Sequence, residues 1–267
     1  MKSSTGQYYI GLDHLRALAA FMVFSYHFIR MVIPNTYDPT YFPLSLFNEG
    51  HTGVALFMTL SGYLFAKLLD GKRIKYGEFL WNRFLRLAPL LFFVLIISGL
   101  YLCSKGIPAS YYCLQIIRGL IFPTLPGACW SITIEFHFYL LLPILLYLGR
   151  KSKYSLFLII CCAILLRLFL YNETGQIQHL AYSTIFGRID QFLFGMIAFQ
   201  LRAYIIGRHF LVIGGFTAFS LFFWYFDKAG GFFNTPSDTS NQLVWVYLPT
   251  LEGLAYALCD SPRLADS

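Results

Sequence analysis

The feature that most constrains this chain is a series of long apolar stretches, unbroken by the alternation that a membrane-facing strand needs. In hydrocarbon a backbone satisfies its hydrogen bonds only as a helix or a closed barrel, and unbroken apolar runs belong to helices. About 20 apolar residues carry a helix across the bilayer core. Stretches near that length occur at roughly 12–33, 51–69, 86–104, 131–149, 154–171, 185–201, 209–227 and 243–259. The expected fold is all-α, a polytopic transmembrane helix bundle of about eight spans in one integral-membrane domain over residues 1–267. Composition agrees: 12% of residues are charged, against about 25% in a soluble domain. The first stretch is not a cleavable signal peptide. It holds Asp13, His14, Arg16 and His27, and no small-residue cleavage site follows.

The net charge of +7 sets an expected orientation. With the N-terminus cytoplasmic, thirteen of the twenty Lys and Arg fall on the inner side, including Lys2, Lys72, Arg73, Lys75 and Arg263. Arg30, Lys105, Arg118 and Lys228 fall outside, and Arg16, Arg167 and Arg188 lie within helices. This is the positive-inside pattern. No aromatic-interleaved basic stripe points to nucleic acid. The six cysteines lack zinc-site spacing, so no metal is expected. Cys161 and Cys162 read as mid-helix packing residues. Cys103, Cys113 and Cys129 lie in or beside one outer loop, where a disulfide between two of them is an open option.

Ionisable residues inside a membrane helix are functional candidates by default. Arg16 and His27 are eleven residues apart. That is three turns plus about 20°, so they share a face roughly 16 Å apart along the axis. His27 suits a general base, because imidazole titrates near neutral pH; a polar core histidine is the bland alternative. His14 is a weaker candidate. Arg83 and Arg86 share a helix face at i, i+3, and paired guanidiniums grip a phosphate well. Positive-inside anchoring explains them equally. Glu135, in the stretch from Trp130 to Tyr139, could orient His27; otherwise Trp130 and Tyr139 are interfacial anchors. Arg188 and Asp190 could pair with each other or line a cavity. Ser61 and Gly62 form a small pair that permits close helix approach, and no nucleophile elbow surrounds Ser61.

These stretches, in this order, resemble the acyltransferase 3 family of multispanning membrane O-acyltransferases. The resemblance runs from about Tyr9 to Glu252. Arg16 and His27 match the family's arginine and histidine, and Phe57 to Tyr63 its Phe, Ser-Gly and aromatic pattern. Arg83, Arg86 and Pro89 match its paired arginines followed by proline. Trp130, Glu135, Phe138 and Tyr139, and then Arg188 and Gly195, match its later motifs. The resemblance implies transfer of an acyl group, acetyl by expectation, from cytoplasmic acyl-CoA (acetyl-CoA). The acceptor would be a hydroxyl of a cell-surface carbohydrate, such as O-antigen polysaccharide, or its lipid-linked precursor. It implies Arg83 and Arg86 on the coenzyme's phosphates, Arg16 beside the acyl-bearing arm, His27 as base and Glu135 in support. Ser61, Trp130, Tyr139 and Arg188 would line the site. Acetyl-CoA enters as donor substrate, with no permanently bound cofactor. The implied location is the bacterial inner membrane, as a multi-pass protein. Family members carry further C-terminal helices, and residues 259–267 read as a polar tail, so the last helices are expected to be missing. Two other readings stay open: a transporter or flippase of a small polar or lipid-linked molecule, and an inactive truncated remnant.

Overall fold

A computed structural model describes residues 10–32, 41–72, 75–126, 129–205, 207–234 and 243–259. Lys2, Arg73, Arg263 and the tail from residue 260 onward lie outside the described residues. Among those described, every regular element is helical. The order is α1 (Ile10–Val32), α2 (Ser45–Asn48), a 3-10 turn (Gly50–Thr52), α3 (Gly53–Leu69), α4 (Tyr76–Ser104), α5 (Ala109–Ile121), α6 (Trp130–Lys151) and α7 (Lys153–Thr174). There follow α8 (Gln178–Ser183), α9 (Ile185–Gln200), α10 (Arg202–Ile205), α11 (His209–Lys228), α12 (Gly231–Asn234) and α13 (Val244–Cys259).

Among the described residues, six helices are long and apolar enough to cross a membrane: α1, α3 with its leading turn, α4, α6, α7 and α11. The chain is an integral membrane protein. The two remaining expected spans, α9 and α13, are 16 residues each, or about 24 Å of helix. Helix α9 is the best-buried helix, and α13 buries more than half of its residues. In α9 every residue except Phe186 and Gln200 is buried, so it forms the axis of the bundle. Helices α3, α13 and α7 pack around it.

Close backbone contact explains why α3 and α9 meet so tightly. A Cβ on Gly62 would collide with the Phe192 carbonyl oxygen, and one on Gly195 with the Thr59 carbonyl oxygen. With lipid as solvent, helices gain from packing rather than from the hydrophobic effect, and small residues let backbones touch. The Ser-Gly pair at Ser61 and Gly62 has this role on one side. Next to it Phe138 of α6 stacks on Phe192 at a centroid distance of 4.0 Å.

A second tie is ionic. Arg167 of α7 is fully buried. It donates from Nε to the Val246 carbonyl at 2.9 Å and from NH1 to the Gly187 carbonyl at 2.8 Å. Its NH2 reaches Asp190 Oδ2 at 2.8 Å and Thr250 Oγ1 at 2.7 Å. One guanidinium thus joins α7, α9 and α13. Asp190 therefore pairs with Arg167 and not with its neighbour Arg188, which turns to Glu252 of α13 at 3.4 Å.

Three expectations change. The third span begins at Tyr76, not near 86, so Arg83 and Arg86 sit inside α4 rather than in a connection. The reason is that Glu78, Trp81, Asn82 and the arginines are all compatible with helix, and nothing breaks it before Pro89, which membrane helices tolerate. Cys161 and Cys162 are exposed on α7 and do not pack in the core. Tyr139 is buried against Phe65 and Phe79, not placed as an interfacial anchor. Cys103 and Cys113 are exposed thiols, and burial pushes the Cys129 thiol up. Helix α5 was not anticipated; it is held by Tyr112 Oη donating to the Leu95 carbonyl and by Thr133 Oγ1 donating to the Gly119 carbonyl, both at 2.7 Å.

Candidate active site

A cavity of about 360 Å³ opens between α1, α3, α4 and α6. Its polar lining is Arg16, Ser61, Arg83, Arg86, Ser131, Glu135 and Tyr139; its apolar walls include Val23, Val54, Phe57, Phe65, Leu87 and Phe192. Residues that the sequence spreads over more than a hundred positions therefore face one space. The i, i+3 spacing puts Arg83 and Arg86 on the same wall of α4.

The cationic side is anchored. Arg83 lies over the Phe65 ring, 4.7 Å from its centroid, and 5.5 Å from that of Phe79. Such stacking fixes a guanidinium while leaving its N–H edge available. Arg16 is held at 3.0 Å by Asp13, one turn back on α1. Across the space Tyr139 Oη donates a short hydrogen bond to Glu135 Oε1, one turn apart on α6. The Glu135 charge acts on Arg83, as do the charges of Arg86 and Arg16. Three cations around one carboxylate leave the pocket positive. A positive, partly apolar cavity suits an anionic ligand with an apolar or uncharged extension.

The other expected residues lie elsewhere. His27 is exposed and does not line the cavity. It sits one turn past Val23 on the same face of α1, so it stands beyond the cavity wall rather than in it. Its ring meets Tyr26 edge-on at 5.3 Å. Glu135 is bonded to Tyr139 and does not orient His27. Trp130 packs on Tyr182 at 4.8 Å. Arg188 is buried, stacks over Tyr182 at 4.3 Å, and bonds Gln191 and Glu252.

Sequence reasoning missed a cluster one turn beyond the cavity. His51 and Glu49 are both buried, with Nδ1 3.2 Å from Oε2. Glu49 also accepts from the Phe232 backbone N–H at 3.0 Å and from Arg30 at 3.4 Å. Rings of Tyr26, Tyr182, Phe232 and Trp245 surround the imidazole. The signal available in the sequence was a carboxylate and an imidazole two residues apart at the head of an apolar run.

The family model described as "Acyltransferase domain" matches residues 9–263, nearly the whole chain. No curated protein and no solved structure matches it.

Proposed function

We propose a membrane O-acyl transfer for this pocket on a plain premise: the chain belongs to the acyltransferase domain family. The donor is a cytoplasmic acyl-CoA, acetyl-CoA in the simplest case. The acceptor is a hydroxyl of a cell-surface carbohydrate or its lipid-linked precursor, and the membrane is the bacterial inner membrane. The observation that carries this reading is the convergence of Arg16, Arg83 and Arg86 on one cavity that continues between apolar walls. Acyl-CoA has that shape and charge: clustered phosphates at one end and a long, uncharged arm bearing the thioester.

Arg83 and Arg86 hold the phosphates through charge-assisted, forked hydrogen bonds. Arg16 borders the path of the arm. Ser61, Phe57 and Phe192 wall the arm and keep water from the thioester. Glu135, held by Tyr139, tempers the positive field, so the coenzyme product can leave. Along α1 the cavity runs from Arg16 to Val23, about 10 Å of helix, and Tyr26 and His27 follow one turn on. The reacting carbonyl belongs at that far end, where a histidine takes the acceptor's proton. With the N-terminus cytoplasmic, this places the phosphates inside and the acceptor outside.

The test uses membranes from cells expressing the chain, supplied with radiolabelled acetyl-CoA. Label is expected in the polysaccharide fraction, and an Arg83→Ala, Arg86→Ala double variant at equal membrane level is expected to lose it. No label above that of membranes lacking the chain refutes acyl transfer. Uptake of an intact solute without acyl transfer would point to a transporter instead.

A further inference from the structure

We propose that Glu49 and His51 form the acid–base pair that activates the acceptor hydroxyl; this rests on the acyl-transfer reading above. The placement comes first. His51 is one turn before Val54, Tyr26 is one turn after Val23, and Trp130 precedes Ser131. Val23, Val54 and Ser131 all line the cavity. The His51 cluster therefore adjoins the part of the cavity lined by Val23, Val54 and Ser131. The Tyr26 ring meets His51 at 5.5 Å and His27 at 5.3 Å, so both imidazoles pack on one tyrosine.

Geometry then separates the two histidines. His27 is exposed. His51 is 1% exposed and has a carboxylate at 3.2 Å from Nδ1. A carboxylate this close, although not in hydrogen-bond geometry, supports the positive charge the imidazole gains on taking a proton. Glu49 is itself immobilised by the Phe232 N–H and by Arg30. Phe232, at 4.8 Å, and Tyr26 offer ring faces and edges to an imidazolium.

Satisfaction of polar groups adds a separate observation. Both ring nitrogens of His51, Trp245 Nε1 and Glu252 Oε1 are buried with no hydrogen-bond partner. Such groups are costly to leave unpaired, and native proteins keep few of them. The Trp245 ring lies 6.4 Å from that of His51, and the Glu252 charge acts on His51. A hydroxyl arriving between them would meet a base, a donor and an acceptor together. Among the described residues, Arg188, Tyr182, Tyr26, Tyr256, Asp190 and Arg30 also surround these groups, and Arg188 and Arg30 are already paired with Glu252 and Glu49.

The step balances. The acceptor O–H gives its proton to His51 Nε2 while the oxygen attacks the thioester carbonyl. The C–S bond breaks as the ester forms. The imidazolium returns the proton to the leaving thiolate, so ester and free thiol are the products and no proton is gained or lost.

The test measures transfer from radiolabelled acetyl-CoA to membrane-borne polysaccharide, per molecule of inserted full-length chain. Isosteric His51→Gln and Glu49→Gln are each expected to lower kcat by about 100-fold or more, the range of general-base catalysis, with the KM for acetyl-CoA unchanged. Glu49→Asp, which keeps the carboxylate, is expected to recover much of the loss. A smaller loss, a loss that appears in KM, or a Glu49→Asp variant no better than Glu49→Gln overturns the pair. So does a His27→Gln variant that is dead while His51→Gln is active. Wild-type membranes that transfer nothing overturn the acyl-transfer reading itself.

Discussion

Replacing Arg167 with Met removes all four hydrogen bonds that join α7, α9 and α13 while keeping most of the side-chain length. The arginine is fully buried, and so is Asp190. The change leaves Asp190 buried with Thr250 Oγ1 as its remaining partner, at 2.6 Å. It also leaves the Val246 and Gly187 carbonyls without this donor. Breaking a buried ion pair by deleting one partner costs about 3–5 kcal/mol, mainly because the stranded charge stays desolvated. Arg167→Met is therefore expected to lose about that much in unfolding free energy, read as the midpoint of reversible denaturant unfolding in detergent micelles. The reasoning makes a second, sharper claim. If the stranded charge is the cost, removing it should help. Arg167→Met combined with Asp190→Leu replaces the pair by apolar groups and is expected to recover most of the loss, since such swaps are often neutral. A single variant within about 1 kcal/mol of wild type, or a double variant less stable than the single, refutes the argument that this pair holds the bundle centre.

Other outcomes follow from the same geometry. Arg83→Ala removes a charge-assisted contact worth about 1.5–3 kcal/mol, so the KM for acetyl-CoA should rise by about 10- to 150-fold in a membrane transfer assay, with kcat less affected. Gly62→Val drives a side chain into the Phe192 backbone; a loss of about 1–3 kcal/mol or more is expected from overpacking, seen as a lower melting temperature in detergent. A reporter fused after Lys151 should signal from the cytoplasmic side, and one fused after Gly106 from the opposite side.

The sequence carried much of the architecture, for a physical reason. A helix in lipid must announce itself by length and hydropathy, because no other arrangement satisfies its backbone. Arg16, Arg83, Arg86 and Glu135 stand out as ionisable groups in such helices, Ser61 and Tyr139 are implied as site-lining only by the family resemblance, and all six face one cavity. Partner choice was not legible. Arg188 and Asp190 are neighbours in sequence, yet each bonds a residue of another helix, 64 and 23 positions away. Glu49 and Phe232 are 183 positions apart. Local patterning says that a buried charge needs a partner but not which one. The start of α4 does not show in hydropathy because Glu78, Asn82, Arg83 and Arg86 interrupt its apolar residues, and hydropathy marks the membrane rather than the helix.

The crossing of α3 and α9 has a bearing on how such a pocket can be re-tailored. Ser61, Phe57 and Phe192 line the cavity from the two helices whose backbones touch at Gly62 and Gly195. That wall has no side-chain layer between its helices to exchange, so its position is set by main chain alone. Variants made to accept a longer or bulkier acyl group must draw their room from the facing wall, at Val23 of α1 and Leu87 of α4. In a library spanning the cavity lining, changes in chain-length preference should concentrate on those facing positions, while the two glycines tolerate nothing.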